Sequence, residues 1–124
     1  VRSYAKNGRN ELKKSFKIYF IDTGIRNAVL GDIASSLEDR ADKGVLFENL
    51  FFLELLKNNS NKVFPPQIFF WRTRDQKEVD FLEVDGENIN AYECKWSNTS
   101  VSFLNFLKLY PQAKTKVVTP ENLL

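Results

Sequence analysis

Residues 78–95 read EVDFLEVDGENINAYECK, and the fold turns on how this stretch doubles back. Two runs rich in β-branched and aromatic residues, Glu78 to Val84 and Ile89 to Lys95, flank Asp85-Gly86, a dipeptide that favours a hairpin turn. Side chains alternate along a strand, so Ile89, Ala91, Glu93 and Lys95 share one face. By the same rule Asp80 shares a face with Leu82 and Val84. A two-residue turn at Asp85-Gly86 puts Asp80 opposite Ala91 and diagonal to Glu93, roughly 7–8 Å away. A four-residue loop, Asp85 to Asn88, puts Asp80 directly opposite Glu93 at roughly 5 Å. Both even registers gather the two carboxylates on one face, and a three-residue loop separates them.

Working outward, Ile68 to Arg72 is a third strand-like run before the hairpin, reached through the loop around Pro65-Pro66. Upstream lies the strongest helical segment, residues 44–58, whose stretch from Val45 to Leu56 is apolar on almost every side and so reads as buried. After the hairpin, Val101 to Tyr110 has the pattern of an amphipathic helix stopped by Pro111, and Lys116 to Thr119 is a last strand. The order helix, strand, strand, strand, helix, strand implies an α/β fold with a mixed sheet flanked by helices. In front of it, Lys17 to Ile21 reads as a strand and Asp22 to Leu30 as a short helix, a strand–helix extension. Residues 1–15 are polar and basic and read as a linker or the tail of a preceding domain, leaving 16–124 as a single domain. The chain starts at Val1 and has no Met, which points to a fragment of a longer polypeptide.

Composition narrows the chemistry. The chain has no His, which excludes His-based acid–base catalysis and His-ligated zinc. A single Cys excludes an internal disulfide or a cysteine metal cluster and suits a reducing cytoplasm. No apolar run approaches a membrane span, so no membrane partner is expected. Chemistry here must rest on carboxylates, Lys, Arg, hydroxyls and a recruited cation. Asp80 and Glu93, brought together beside apolar neighbours, repel each other and lose hydration, and Lys95 or a divalent cation would compensate. Hard oxygen donors favour magnesium or manganese. Glu48 joins this set because its helical neighbours, Gly44, Val45, Phe51 and Phe52, include no base. Glu54, with Lys57 and Asn58 at the same offsets, reads as an ordinary rim residue. Each feature alone also has an ordinary structural reading: a Glu-x-Lys on a solvated strand edge, Glu78 paired with Arg72, Lys77 or Lys95, Trp71 and Phe81 in the core.

The segments KIYFIDTGIRNAVL (17–30), GVLFENLFFLELLK (44–57), FFWRTRDQKEVDF (69–81) and AYECKWS (91–97) together resemble the PD-(D/E)XK, or restriction-endonuclease-like, superfamily. More narrowly, they resemble the uncharacterised C-terminal domain of a group of bacterial and archaeal AAA-type ATPases. That resemblance, spanning Lys17 to Thr119, implies a restriction-endonuclease-like mixed sheet and a site made of Glu48, Asp80, Glu93 and Lys95. It implies that Asp80, Glu93, the Cys94 carbonyl and Glu48 hold Mg2+ or Mn2+, and that Lys95 orients or activates the attacking water. No G-x-x-x-x-G-K-[ST] sequence occurs, so an ATPase domain of the same parent chain would lie outside these residues.

The expected function is therefore metal-dependent hydrolysis of nucleic-acid phosphodiesters, DNA rather than RNA, with Lys13, Lys14, Arg72, Arg74 and Lys77 on phosphates. A non-catalytic nucleic-acid-binding or regulatory module is the second reading. A plain protein-interaction domain, its acids paired with Lys95 and Arg72, is the third.

Overall fold

The computed structural model describes residues 1–21, 43–96 and 101–123. The elements in order are β1 (Arg2–Ser3), α1 (Lys43–Asn59), β2 (Gln67–Arg72), β3 (Glu78–Asp85), β4 (Asn88–Cys94), α2 (Leu104–Leu109), β5 (Lys114–Val118) and α3 (Pro120–Leu123). The five strands form one sheet in the order β1-β2-β3-β4-β5. β3 runs antiparallel to both β2 and β4, while β1 lies parallel to β2 and β5 parallel to β4. The α/β class and the helix–strand–strand–strand–helix–strand order are as the sequence predicts. The predicted helix at Asp22 to Leu30 falls outside the described residues.

α1 covers one face of the sheet. Phe47, Leu50, Phe51 and Leu55 recur at helical spacing and are buried with Phe81, Val118 and Phe52. Burial follows that stripe rather than the whole circumference, and Val45 stands 72% exposed. On the other face Tyr4, Trp71, Val79, Leu82, Ile89 and Ala91 pack against Phe106 and Tyr110. Among the described residues, no helix is long and apolar enough to cross a membrane.

Two features of β3 depart from regular alternation. The turn to β4 is Gly86-Glu87, one residue later than Asp85-Gly86, because Asp85 still pairs with Asn88 and Gly86 takes the left-handed φ of 61° that the loop needs. Toward β2, the pairs Phe69↔Leu82 and Trp71↔Val79 leave Phe70 facing both Asp80 and Phe81. This is a β-bulge on β3. It explains why Val79 and Leu82, three residues apart, share one apolar cluster while Phe81 belongs to the other.

The opening residues, whose polarity suggests a linker, are packed onto this domain. Arg2 and Ser3 pair with Phe69 and Phe70, and Leu12 N donates to the Arg72 carbonyl at 2.8 Å. The decisive residue is Glu11, 1% exposed. Its Oε1 accepts from the amides of Asn7 (3.0 Å) and Gly8 (2.6 Å), and its Oε2 from Trp71 Nε1 (2.6 Å) and the Tyr110 hydroxyl (2.5 Å). A buried carboxylate that accepts from four donors is compensated without a counter-ion. The run Lys17 to Ile21 does not extend the sheet as a strand. Lys17 exchanges backbone hydrogen bonds with Val1 (2.8 and 3.0 Å), but the Phe20 amide and carbonyl are taken by the Asn49 side chain, each at 2.8 Å.

Glu11→Ala strands four donors, two of them in the core, and is expected to lower unfolding free energy by about 3 kcal/mol or more. Lys13→Ala, at an exposed position nearby, should stay within about 0.5 kcal/mol of the parent. Urea denaturation measures both, and equal midpoints for the two variants would mean that residues 6–11 lie outside the cooperative unit.

Candidate functional site: a carboxylate pair at the end of the hairpin ladder

The β3–β4 register is Val84↔Ile89 and Phe81↔Tyr92, the register of the four-residue-loop alternative, and it brings Asp80 and Glu93 to the same end of the hairpin. The regular ladder ends at Phe81↔Tyr92. Beyond it the two carboxylates take over the backbone donors: Asp80 N donates to Glu93 Oε1 at 2.7 Å, and Cys94 N donates to Asp80 Oδ2 at 2.8 Å. Both acids are buried, 7% and 8% exposed. The bulge positions Asp80 here, a role that bulges play beside functional sites.

Burial dominates the electrostatics of the pair. Loss of hydration, then the charges of Glu93 and Glu48, push the Asp80 carboxyl up to about 9, against the pull of the Cys94 amide and Lys17. Burial pushes Glu93 up to about 7, against the Asp80 amide and Lys95, with Glu78 and Glu48 adding to the rise. Burial, then the Asp80 charge, also pushes the Cys94 thiol up, so the sulfur stays protonated and Cys94 offers only its backbone carbonyl. Lys95 is half-buried and its amide donates to the Val118 carbonyl at 2.8 Å, which ties the Glu-x-Lys strand end to β5.

Glu48 lies within electrostatic reach of the pair but is otherwise engaged. The Tyr19 hydroxyl donates to its Oε2, and Lys17 Nζ stands 3.8 Å from the same oxygen. Lys17 also meets Glu78 Oε1 at 2.8 Å, and Arg72 Nη2 meets Glu78 Oε2 at 2.8 Å. Burial alone would raise Glu78, but hydrogen bonds and charge from Lys17, then Arg72, outweigh it and hold this carboxyl below its usual range. The network Arg72–Glu78–Lys17–Glu48 thus runs alongside the Asp80–Glu93 pair. The donor chemistry suits a hard divalent cation: buried carboxylate oxygens short of compensating charge, with a backbone carbonyl beside them. Among the described residues, however, no three acidic or thiol groups converge closely enough to enclose one ion.

Of the predicted residues, the fold brings together Asp80, Glu93, Lys95 and Cys94, with Glu48 nearby. Lys13, Lys14, Arg74 and Lys77 are exposed, as phosphate contacts require. Arg72 departs from its predicted role: it is half-buried and committed to Glu78. Lys17 and Tyr19 escaped the sequence reading as site residues. The signal was there: in Phe16 to Phe20 the apolar residues face outward, with Phe16 70%, Ile18 78% and Phe20 66% exposed. Lys17 and Tyr19 take the inward face, an inverted alternation that calls for polar partners inside.

This is an α/β domain with a five-stranded mixed sheet whose buried acid pair sits at a bulged hairpin. The chain belongs to the DUF4143 family, a domain of unknown function, which matches residues 43–123. It is a domain often found at the C-terminus of AAA-type ATPases. No curated protein and no solved structure matches the chain.

Asp80 and Glu93 bind protons more tightly when folded than their ordinary values of 3.8 and 4.5. The stability they add is therefore complete below about pH 4 and is lost as pH rises toward about 7 for Glu93 and about 9 for Asp80. In the presence of a chelator, Asp80→Asn keeps an acceptor for the Cys94 amide and removes the charge. It is expected to raise stability at about pH 8 by at least about 1 kcal/mol and to flatten the fall from about pH 5. Thermal melts across that range test this, and a variant less stable than the parent at about pH 8 would contradict it.

Proposed function

We propose that this domain is a metal-dependent nuclease of restriction-endonuclease-like fold that hydrolyses phosphodiesters, DNA in preference to RNA, attached to an ATPase domain in its parent chain and working in the cytoplasm. The observation that carries the reading is the joining of two buried carboxylates at the bulge, where Asp80 N donates to Glu93 Oε1 and Cys94 N to Asp80 Oδ2. Asp80, Glu93, Glu48 and the Cys94 carbonyl would hold Mg2+ or Mn2+, which when bound supplies Lewis acidity and a more acidic water. Lys95, next but one to Glu93, is placed to orient an attacking water and to offset developing phosphate charge. Glu48 is held by Tyr19 and Lys17, so it joins the set only when it exchanges those partners. Lys13, Lys14, Arg74 and Lys77 supply exposed positive charge for the phosphate backbone.

The engagement of Glu48 favours a second reading, a module that binds nucleic acid or regulates an attached ATPase without cutting. Isothermal titration of Mg2+ and Mn2+ separates the readings when paired with plasmid and single-stranded DNA cleavage. The nuclease reading expects metal binding that is abolished in Asp80→Ala/Glu93→Ala, and cleavage that falls about a hundredfold or more in Lys95→Ala. Metal binding without cleavage selects the second reading. No metal binding, even with DNA present, removes the nuclease reading.

A further inference from the structure

Two sets of groups act on Glu48. Its charge is felt by Asp80 and Glu93, whose carboxyls it helps to push up. Its Oε2, however, is held by Lys17 and Tyr19: the hydroxyl donates to that oxygen and the ammonium stands 3.8 Å from it. The contact is enclosed, with the Lys17 side chain 18% and the Glu48 side chain 24% exposed, so water screens it only in part. Burial, then the hydrogen bond to Glu48, push the Tyr19 hydroxyl up, which keeps it a donor.

The segment that carries these two groups is fastened by few contacts. Lys17 exchanges backbone hydrogen bonds with Val1, and its Nζ meets Glu78 Oε1 at 2.8 Å and lies 4.9 Å from the centre of the Phe70 ring. The Tyr19 ring packs on Phe52 and Phe81, with centroids 4.8 and 5.2 Å apart. The Phe20 backbone bonds the side chain of Asn49, the residue after Glu48, so the fastening to α1 sits beside the acid that is restrained. Phe16, Ile18 and Phe20 all point outward and are exposed, so their burial adds little to the hold. Lys17 also supplies positive charge to Asp80. A divalent cation drawn to the acid pair would meet repulsion from that ammonium and would find Glu48 committed.

We propose that Lys17 and Tyr19 form an autoinhibitory latch on the acid site: they hold Glu48 away from a divalent cation at Asp80 and Glu93, so that closing the latch and binding the cation oppose each other. The inference rests on the metal-binding part of the nuclease reading and concerns regulation of that site, not cleavage. Linkage makes the opposition reciprocal, so whatever weakens the hold on Glu48 strengthens the hold on the cation.

Isothermal titration of Mn2+ into the 124-residue chain, into Tyr19→Phe, and into both in a Glu48→Gln background tests the latch. Tyr19→Phe keeps the ring that packs on Phe52 and Phe81 and deletes only the donor. Its Mn2+ affinity should rise about fivefold or more, because a hydrogen bond to a charged group is lost from the latched state alone. In the Glu48→Gln background the same change should leave affinity within about twofold, since the latch acts through that carboxylate. Lys17→Gln, which removes the ammonium but keeps a donor, should raise affinity about tenfold. Binding detected in Tyr19→Phe and too weak to measure in the parent would also support the latch. An affinity unchanged or lowered in Tyr19→Phe, or a gain of the same size with Glu48→Gln, would overturn the latch and leave the metal reading standing. Absence of Mn2+ binding in the parent and every variant would remove both.

Discussion

The bulge at Asp80–Phe81 is the constraint on which the rest of the arrangement depends. By setting two residues of β3 against Phe70 alone, it shifts the alternation of the strand by one. Downstream, Leu82 points to the face of α2. Upstream, Val79 points there too, and Phe81 between them goes to the face of α1, where it is fully buried. Without the bulge, a strand keeping Leu82 inside would turn Val79 out and break the packing against Trp71. The bulge also marks where the β3–β4 ladder stops, and the amides of Asp80 and Cys94 are then satisfied by the two carboxylates rather than by carbonyls. Packing and site chemistry are set by one irregularity.

Glu11, the half-buried Glu78 and the Asp80–Glu93 pair are compensated in three different ways, and the contrast identifies the pair as the one with unfinished electrostatics. Glu11 is matched by four donors and closes the N-terminal stretch over Trp71 and Tyr110. Glu78 is matched by charge, between Lys17 and Arg72, both of which lie over the Phe70 ring at 4.9 and 5.9 Å. Asp80 and Glu93 each receive one amide and face each other and Glu48. Removing hydration from two like charges costs several kcal/mol unless a proton or cation intervenes. Burial without a matching counter-charge therefore raises the proton affinity of both acids.

Most of the sheet was legible because its signals are local. Residues 44–58 against the observed 43–59, and the strand runs within one or two residues of their bounds, follow from periodicity and turn chemistry that neighbours do not override. The even register of the hairpin was legible too, although only as two alternatives, since Gly86 serves either turn. What stayed hidden is non-local. Nothing in EVDF announces a bulge, because it arises from the demand that Val79 and Leu82 reach the same cluster. Glu11 reads as one more polar residue until Trp71 and Tyr110, 60 and 99 positions away, converge on it. Lys17 to Ile21 has strand composition, yet Asn49 satisfies the Phe20 backbone and the ladder does not propagate.

The placement of Lys17 and Tyr19 bears on what counts as the site. The family match covers residues 43–123, but the groups that hold Glu48 stand at 17 and 19. Lys17 is, among the described residues, the base within ion-pair distance of Glu48, and its charge also reaches Asp80. That ammonium is fixed to the sheet through Glu78 and the Phe70 ring. Glu48 is held by Lys17 and Tyr19, whose segment is pinned to α1 by Asn49. The N-terminal segment is thus part of the electrostatics of the acid pair, although it lies outside the residues that the family match covers.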